Sequence, residues 1–304
     1  MGSRLSSEYV ITLEVKKMWV VYAVDSSFFA GITAILAKCG IRKTDSDIAT
    51  ALRTVVVLVF SWIPVFFAGS HSSVTSLNSK TWIFLILSGI ATGASWLCYF
   101  RALQLGDVNK VVSIDKSSTA LTLIFAFIFL GEQLTLLKGA AIVLITVGTY
   151  LMIEKKEISK RQNSNKGWIL YAMLSALFAA LTSILGKIGI EEVPPELGTA
   201  IRTFVVLIMA WLIVLIEGKG SALRHTPKKE IGYICLSGLA TGASWLCYYK
   251  ALHDGPASAV VPIDKLSILI SVLFSVVVLK EHISEKSAIG LFAIVAGTFL
   301  MIVG

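Results

Sequence analysis

Charge is what this sequence has least of. Of its 304 residues only 15% are Asp, Glu, Lys or Arg, against 56% hydrophobic, where soluble domains carry roughly 25% charged residues. That balance excludes an ordinary soluble fold. It also removes nucleic acid as the meaning of the +8 net charge, since basic residues in loops beside apolar runs meet anionic lipid headgroups. Histidine is scarce, four residues without metal-ligand spacing, and no HExxH, P-loop or nucleophile elbow is present. The sequence therefore predicts no cofactor, no metal and no enzyme. Cys39, Cys98, Cys235 and Cys247 lie in or beside apolar runs and read as reduced, packed thiols, not a disulfide framework. No secretory signal is seen, because the first 17 residues are polar and of mixed charge. "MGSRLS" fits a myristoylation pattern, but a chain with many spans needs no such anchor.

What is abundant is long apolar sequence. A bilayer-crossing helix needs roughly 20 mostly apolar residues. Ten such segments fall near 18–38, 47–68, 82–103, 107–130, 136–153, 167–187, 196–217, 231–252, 256–279 and 286–303. The expectation is an all-α polytopic membrane protein with ten transmembrane helices, in the plasma (inner) membrane. Only "EKKEISKRQNSNK" at 154–166 reads as a charged, flexible linker. It separates a polar segment 1–17 and a first unit 18–153 from a second unit 167–304.

The two units are copies. "ATGASWLCY" at 91–99 returns letter for letter at 240–248, an offset of 149 that holds without a gap from Trp19/Trp168 to Met152/Met301. "TALRTVVVLVFSW" answers "TAIRTFVVLIMAW", and "SIDKSS" answers "PIDKLS". Such repeats are read before finer features. Five spans is an odd number, so the second copy enters the membrane inverted. Inverted repeats place substrate sites near the bilayer midplane, where the repeats meet.

Within the repeated stretch, Ser88, Thr92, Ser95 and Tyr99 make one polar helix stripe, repeated as Ser237, Thr241, Ser244 and Tyr248. Gly89/Gly93 and Gly238/Gly242 form GxxxG seams for close helix approach. The stripe, with Trp96 and Trp245, either lines a cavity or glues neighbouring helices. Charges inside spans are costly and face a bundle interior or a wet cavity. They are Arg53, Asp115, Lys116, Arg202, Asp264 and Lys265. Asp115 is expected to pair with Arg53 and Asp264 with Arg202, leaving Lys116 and Lys265 for substrate, water or carbonyls. At a rise of about 1.5 Å per residue these charges form two layers flanking the midplane, either alternating gates or static ion pairs. Pro262 is expected to break span nine; Ser113 stands in its place in span four. Asp25, opposite Leu174 in the copy, is a candidate proton carrier. Lys38 and Lys187 are expected to snorkel, and Glu132 and Glu281 to sit at helix ends.

The layout, together with "ASWLCYFRALQLG"/"ASWLCYYKALHDG" and "VVSIDKSSTALTLIFAFIFLGEQLT"/"VVPIDKLSILISVLFSVVVLKEHIS", resembles the EamA-type branch of the drug/metabolite transporter superfamily over residues 18–303. It is also similar to single-repeat relatives that would pair as antiparallel dimers. The resemblance implies two inverted five-helix bundles around a central cavity, and export or exchange of small metabolites. It departs at "LKEH", where the first copy has "LGE"; a turn made by Gly131 would not be needed at Lys280.

Four buried cations against two carboxylates favour an anionic or zwitterionic solute such as an amino acid or organic acid, moved by alternating access. A lipid-linked substrate flippase and a multidrug exporter are the alternatives. Expected partners are the substrate, the bilayer, and a proton or exchanged solute, with the chain a monomer or homodimer. Sixteen basic residues on the linker side against seven on the side of the termini place the linker in the cytoplasm.

Overall fold

The computed structural model describes residues 2–40, 44–105, 111, 114–152, 167–277 and 284–304. Its long helices are α1 (Gly2–Gly40), α2 (Ser46–Phe67), α3 (Ser79–Leu105), α4 (Ser118–Phe129), α5 (Leu136–Leu151), α6 (Gly167–Gly189), α7 (Pro195–Ile216), α8 (Lys228–Asp254), α9 (Ala257–Lys265), α10 (Ser267–Val277) and α11 (Glu285–Val303). Among the described residues, eight stretches are long and apolar enough to cross a membrane, and Leu136–Leu151 is a shorter apolar helix. The fold is all-α, polytopic and built of two inverted five-helix repeats. The linker 154–166 lies outside the described residues.

Starts and stops follow local chemistry, and they follow it twice. Thr135 caps α5 by accepting from the Lys138 amide, and Ser284, its counterpart, caps α11 by accepting from the Ser287 amide. α2 and α7 end at Gly69 (φ +72°) and Gly218 (φ +68°), left-handed positions that suit glycine. Gly131, at φ +66°, makes the turn after α4; Lys280 lies outside the described residues.

Each helix packs chiefly on the other repeat. α1 lies along α8, α3 along α6, α2 along α7 and α5 along α11. The GxxxG seams make a further pair of contacts, α3 on α7 and α8 on α2. A Cβ on Gly89 would stand 2.6 Å from Val205 Cβ, and one on Gly238 would stand 2.7 Å from Val56 Cβ and 3.0 Å from the Arg53 carbonyl. Where lipid tails compete equally for apolar surface, backbone approach of this kind drives helix association.

Spans four and nine are both broken, at matching places. α9 ends at Lys265, Leu266 forms the turn with its amide on the Ile263 carbonyl at 2.9 Å, and α10 follows. In the first repeat Ile114–Lys116 is helical, and Ser117 turns with its amide on the Ile114 carbonyl at 3.0 Å before α4 begins. Pro262 sits inside α9, four residues before the turn. The same turn recurs in the half that has Ser113 in place of the proline, directly after Asp-Lys in both, so a proline is not required for it. Interrupted helices with unpaired carbonyls are tolerated at membrane depth where protein or a cavity surrounds them.

Candidate functional site

A cavity of about 330 Å³ lies between the repeats. α3 contributes Thr92, Ser95 and Trp96; α6 contributes Thr182 and Ser183. α7 supplies Arg202, and α8 supplies Ser244, Trp245 and Tyr248; Asp264 and Lys265 come from the end of α9. The structure thus brings Arg202, Asp264, Lys265, Ser95, Trp96, Ser244, Trp245 and Tyr248 to one wall. Arg53, Asp115, Lys116, Tyr99 and Asp25 are not among its described lining residues.

Arg202 is 3% exposed and held from three directions. Its Nε donates to Ser88 Oγ at 2.9 Å and its Nη2 to Thr92 Oγ1 at 2.6 Å. The guanidinium lies over the rings of Trp245 (5.0 Å) and Tyr249 (4.8 Å), a geometry that favours a desolvated cation. Ser88 donates in turn to the Thr182 carbonyl at 2.7 Å. Arg202 Nη1 is buried with no partner among the described residues. The expected Arg202–Asp264 ion pair is absent there: the two serve different partners because the guanidinium turns toward α3 hydroxyls of the other repeat.

The aspartates bind serines. Asp264 Oδ1 accepts from Ser26 Oγ at 2.7 Å, and Asp115 Oδ1 accepts from Ser175 Oγ at 2.7 Å. The expected Asp115–Arg53 pair is likewise not formed. Arg53, part-exposed, makes no hydrogen bond or ion pair among the described residues. Lys265 Nζ stands 3.9 Å from its neighbour Asp264 and its side chain is 48% accessible. Tyr248 donates to Ser183 Oγ at 3.0 Å. Tyr99 packs with Ile114, Trp168 and Tyr171, near Asp115. Asp25 is half-buried on α1, near Cys247.

Ser26, Ser175, Thr182, Ser183 and Tyr249 were not singled out from the sequence. Ser26 and Ser175 do match at the repeat offset, in "DSSFF" and "LSALF", and that was the available signal. Lys187 is corrected too. It does not snorkel: its Nζ donates to the carbonyls of Leu252 (2.7 Å) and Gly255 (2.5 Å), closing the end of α8. Glu132 accepts from the amides of Ala257 and Ser258 at 2.6 and 3.0 Å, capping α9 from the other repeat. Lys38 and Glu281, for side-chain purposes, lie outside the described residues.

Known proteins are similar to this chain. An uncharacterized transporter in the cobO 3′ region of Sinorhizobium sp. is 43% identical over 134 residues, 44% of this chain and 95% of that protein, so it is about one repeat long. An uncharacterized protein of Methanocaldococcus jannaschii is 31% identical over 133 residues, again 44% of this chain and 94% of its own. An uncharacterized transporter of Archaeoglobus fulgidus is 19% identical over 268 residues, 88% of this chain and 92% of its own. A solved structure described as "Crystal structure of protein" superposes with a TM-score of 0.76 over 94% of this chain and 98% of its own at 17% identity, a likeness of fold. Residues 17–154 and 166–303 each match the EamA-like transporter family. The chain belongs to that family and is an integral, multi-pass membrane transporter.

Proposed function

We propose that the protein carries a small anionic or zwitterionic metabolite, such as an amino acid or organic acid, by alternating access of its two repeats. One observation carries this reading: among the described residues, Nη1 of Arg202 has no partner, and it stands beside the cavity that Arg202 and Lys265 line against one carboxylate, Asp264. A buried N–H without an acceptor costs roughly 1–3 kcal/mol, and a substrate carboxylate would satisfy it with a charge-assisted bond. The volume of about 330 Å³ lies at the small end of ligand pockets, roughly 300–1,000 Å³, and Trp96 and Trp245 offer faces for an apolar side chain.

The asymmetry between the two arginines supports alternating access. Arg202 is locked onto α3, while Arg53, its copy, is not locked onto α8. Exchanging these two conditions would open one face and close the other. In this reading the transporter exports or exchanges its solute, the linker is cytoplasmic, and Asp25 carries a coupling proton. Counterflow into liposomes with a panel of radiolabelled amino acids, organic acids and lipophilic cations tests it. Uptake of one anionic or zwitterionic class, lost in Arg202→Gln, is expected. Uptake of cations alone would reject the substrate class, and movement of lipid-linked sugar without solute counterflow would favour a flippase.

A further inference from the structure

Away from the cavity, the face of the molecule nearest the linker carries a cluster that the transport reading does not use. Lys219, in the turn after α7, bonds Asp47 in the first turn of α2, reaches Glu217 at 2.5 Å and reaches Asp45 at 3.3 Å. Three carboxylates thus surround one ammonium across the boundary between the repeats. A fourth is adjacent: buried Glu230, at the start of α8, accepts from the Thr44 amide at 2.8 Å and from its hydroxyl. Arg101 and Tyr171 share with Glu217 and Lys219 the wall of a hollow of about 600 Å³.

Asp47 is 4% exposed. Its Oδ2 meets Lys219, but its Oδ1 is buried with no partner among the described residues. Glu217 and Asp47 both meet the one Lys219 ammonium, so their carboxyl groups are drawn together over it. Two facing carboxylates cannot both stay ionised at low cost in a buried place, and one shared proton turns repulsion into a hydrogen bond. The inverted repeat supplies an internal comparison. The positions matching Asp47, Glu217, Lys219 and Asp45 are Glu196, Ala68, Ser70 and Pro194. At those positions, among the described residues, one hydrogen bond joins the repeats, Ser70 Oγ to Glu196 Oε1 at 2.7 Å. The same joint is therefore an overcrowded carboxylate cluster on one face and a lone carboxylate–hydroxyl bond on the other.

We propose that the Asp47–Glu217 carboxyl pair over Lys219 is a proton-binding site, and that its proton fastens α2 of one repeat to α7 of the other on the linker face alone. The proton comes from and returns to the aqueous phase through the adjoining hollow. Protonation tightens this joint; its loss leaves Asp47 and Glu217 repelling each other and loosens it. The mirrored Ser70–Glu196 joint has no such response.

Infrared titration of the protein in liposomes reads the proton directly. Wild type is expected to show a protonated-carboxyl absorption that disappears as pH rises, missing in both Asp47→Asn and Glu217→Gln and kept in Glu196→Gln. Lys219→Gln is expected to retain the absorption to higher pH, because the ammonium that favours ionisation is gone; a merely structural salt bridge would not move the titration that way. If Asp47→Asn fails to fold, Glu217→Gln, at the more accessible end of α7, stands as the test. An absorption unchanged in the foldable variants, or none in wild type, overturns the proposal.

Discussion

Ser26 in the first repeat donates its hydroxyl to Asp264 in the second at 2.7 Å, and the identical bond joins Ser175 to Asp115. Each links the first helix of one repeat to the broken helix of the other, beside the turn that follows Asp-Lys. A hydrogen bond to a charged group is worth about 1.5–3 kcal/mol, enough to set where each aspartate points. Ser26→Ala and Ser175→Ala are each expected to slow counterflow several-fold, since each frees one Asp-Lys turn. Rates equal to wild type in both would show that these serines only fill space.

Arg202 and Arg53 are copies in different circumstances. Arg202→Lys keeps the charge but loses the fork that meets Ser88 and Thr92 and the flat contact with Trp245 and Tyr249; arginine and lysine are not equivalent at such sites. Substrate binding is expected to weaken at least about tenfold, or about 1.4 kcal/mol, by calorimetry in detergent. Arg53→Lys is expected to leave that affinity nearly unchanged and to slow turnover, because the proposed cycle has Arg53 act in the opposite conformation.

The helix seams give a stability test. Gly238→Val would press a side chain into Val56 and the Arg53 carbonyl, both fixed by their own helix. Overpacking of this kind costs about 1–3 kcal/mol, and a lowered melting temperature in detergent is expected. Gly139→Ala, with nothing within 4 Å of the added carbon, is the neutral control.

Lys187→Met separates a capping lysine from a snorkelling one. Removing the ammonium leaves the carbonyls of Leu252 and Gly255 without their donor, and a buried acceptor so orphaned costs about 1–3 kcal/mol. A lower melting temperature is expected; a snorkelling lysine would show none.

The linker-face cluster also shapes stability against pH. Burial pulls Lys219 down, but hydrogen bonds and charge from Asp47, Glu217 and Asp45 outweigh it and hold the ammonium above its ordinary value. Burial raises Asp45, yet the Asp47 amide and Lys219 more than offset that and hold it below the usual carboxylate range. The Lys219 contribution is thus complete below its unfolded pKa of about 10.4 and is lost as pH rises through the folded value. That of Asp45 is present above its unfolded pKa of about 3.9 and is lost as pH falls through its lower folded value. A melting temperature that declines on acidification below about pH 4, with a smaller decline in Asp45→Asn, is the expected result.

Much of this was legible before any coordinates. The offset of 149 and the odd number of spans are properties of sequence order, so the inverted architecture follows from them; the duplicated GxxxG seams marked close packing on α3 and α8, but that α1 meets α8 and α3 meets α6 is not written there. Ser95, Trp96 and Tyr248 could be placed by helical spacing. The partners of the charges could not. Opposite sign suggested Arg202 with Asp264, but pairing depends on the rotation of each helix about its axis and on the hydroxyls that neighbouring helices present. Those come from Ser26, Ser88, Thr92 and Ser175: Ser88 and Thr92 stood out as a polar stripe without showing which charge they would meet, and Ser26 and Ser175 showed only their match at the repeat offset.

The sequence by itself determined that two copies cross the membrane in opposite senses and that costly charges recur at the repeat offset, because apolar length and hydrophobic duplication are written residue by residue. Only the tertiary structure decided that Arg202 is held while Arg53 has no polar partner among the described residues, and that one end of the α2–α7 joint is crowded with carboxylates. Those outcomes turn on ångström-scale approach between helices far apart in the chain, where a hydroxyl or a second carboxylate a few ångströms away changes which charge is satisfied.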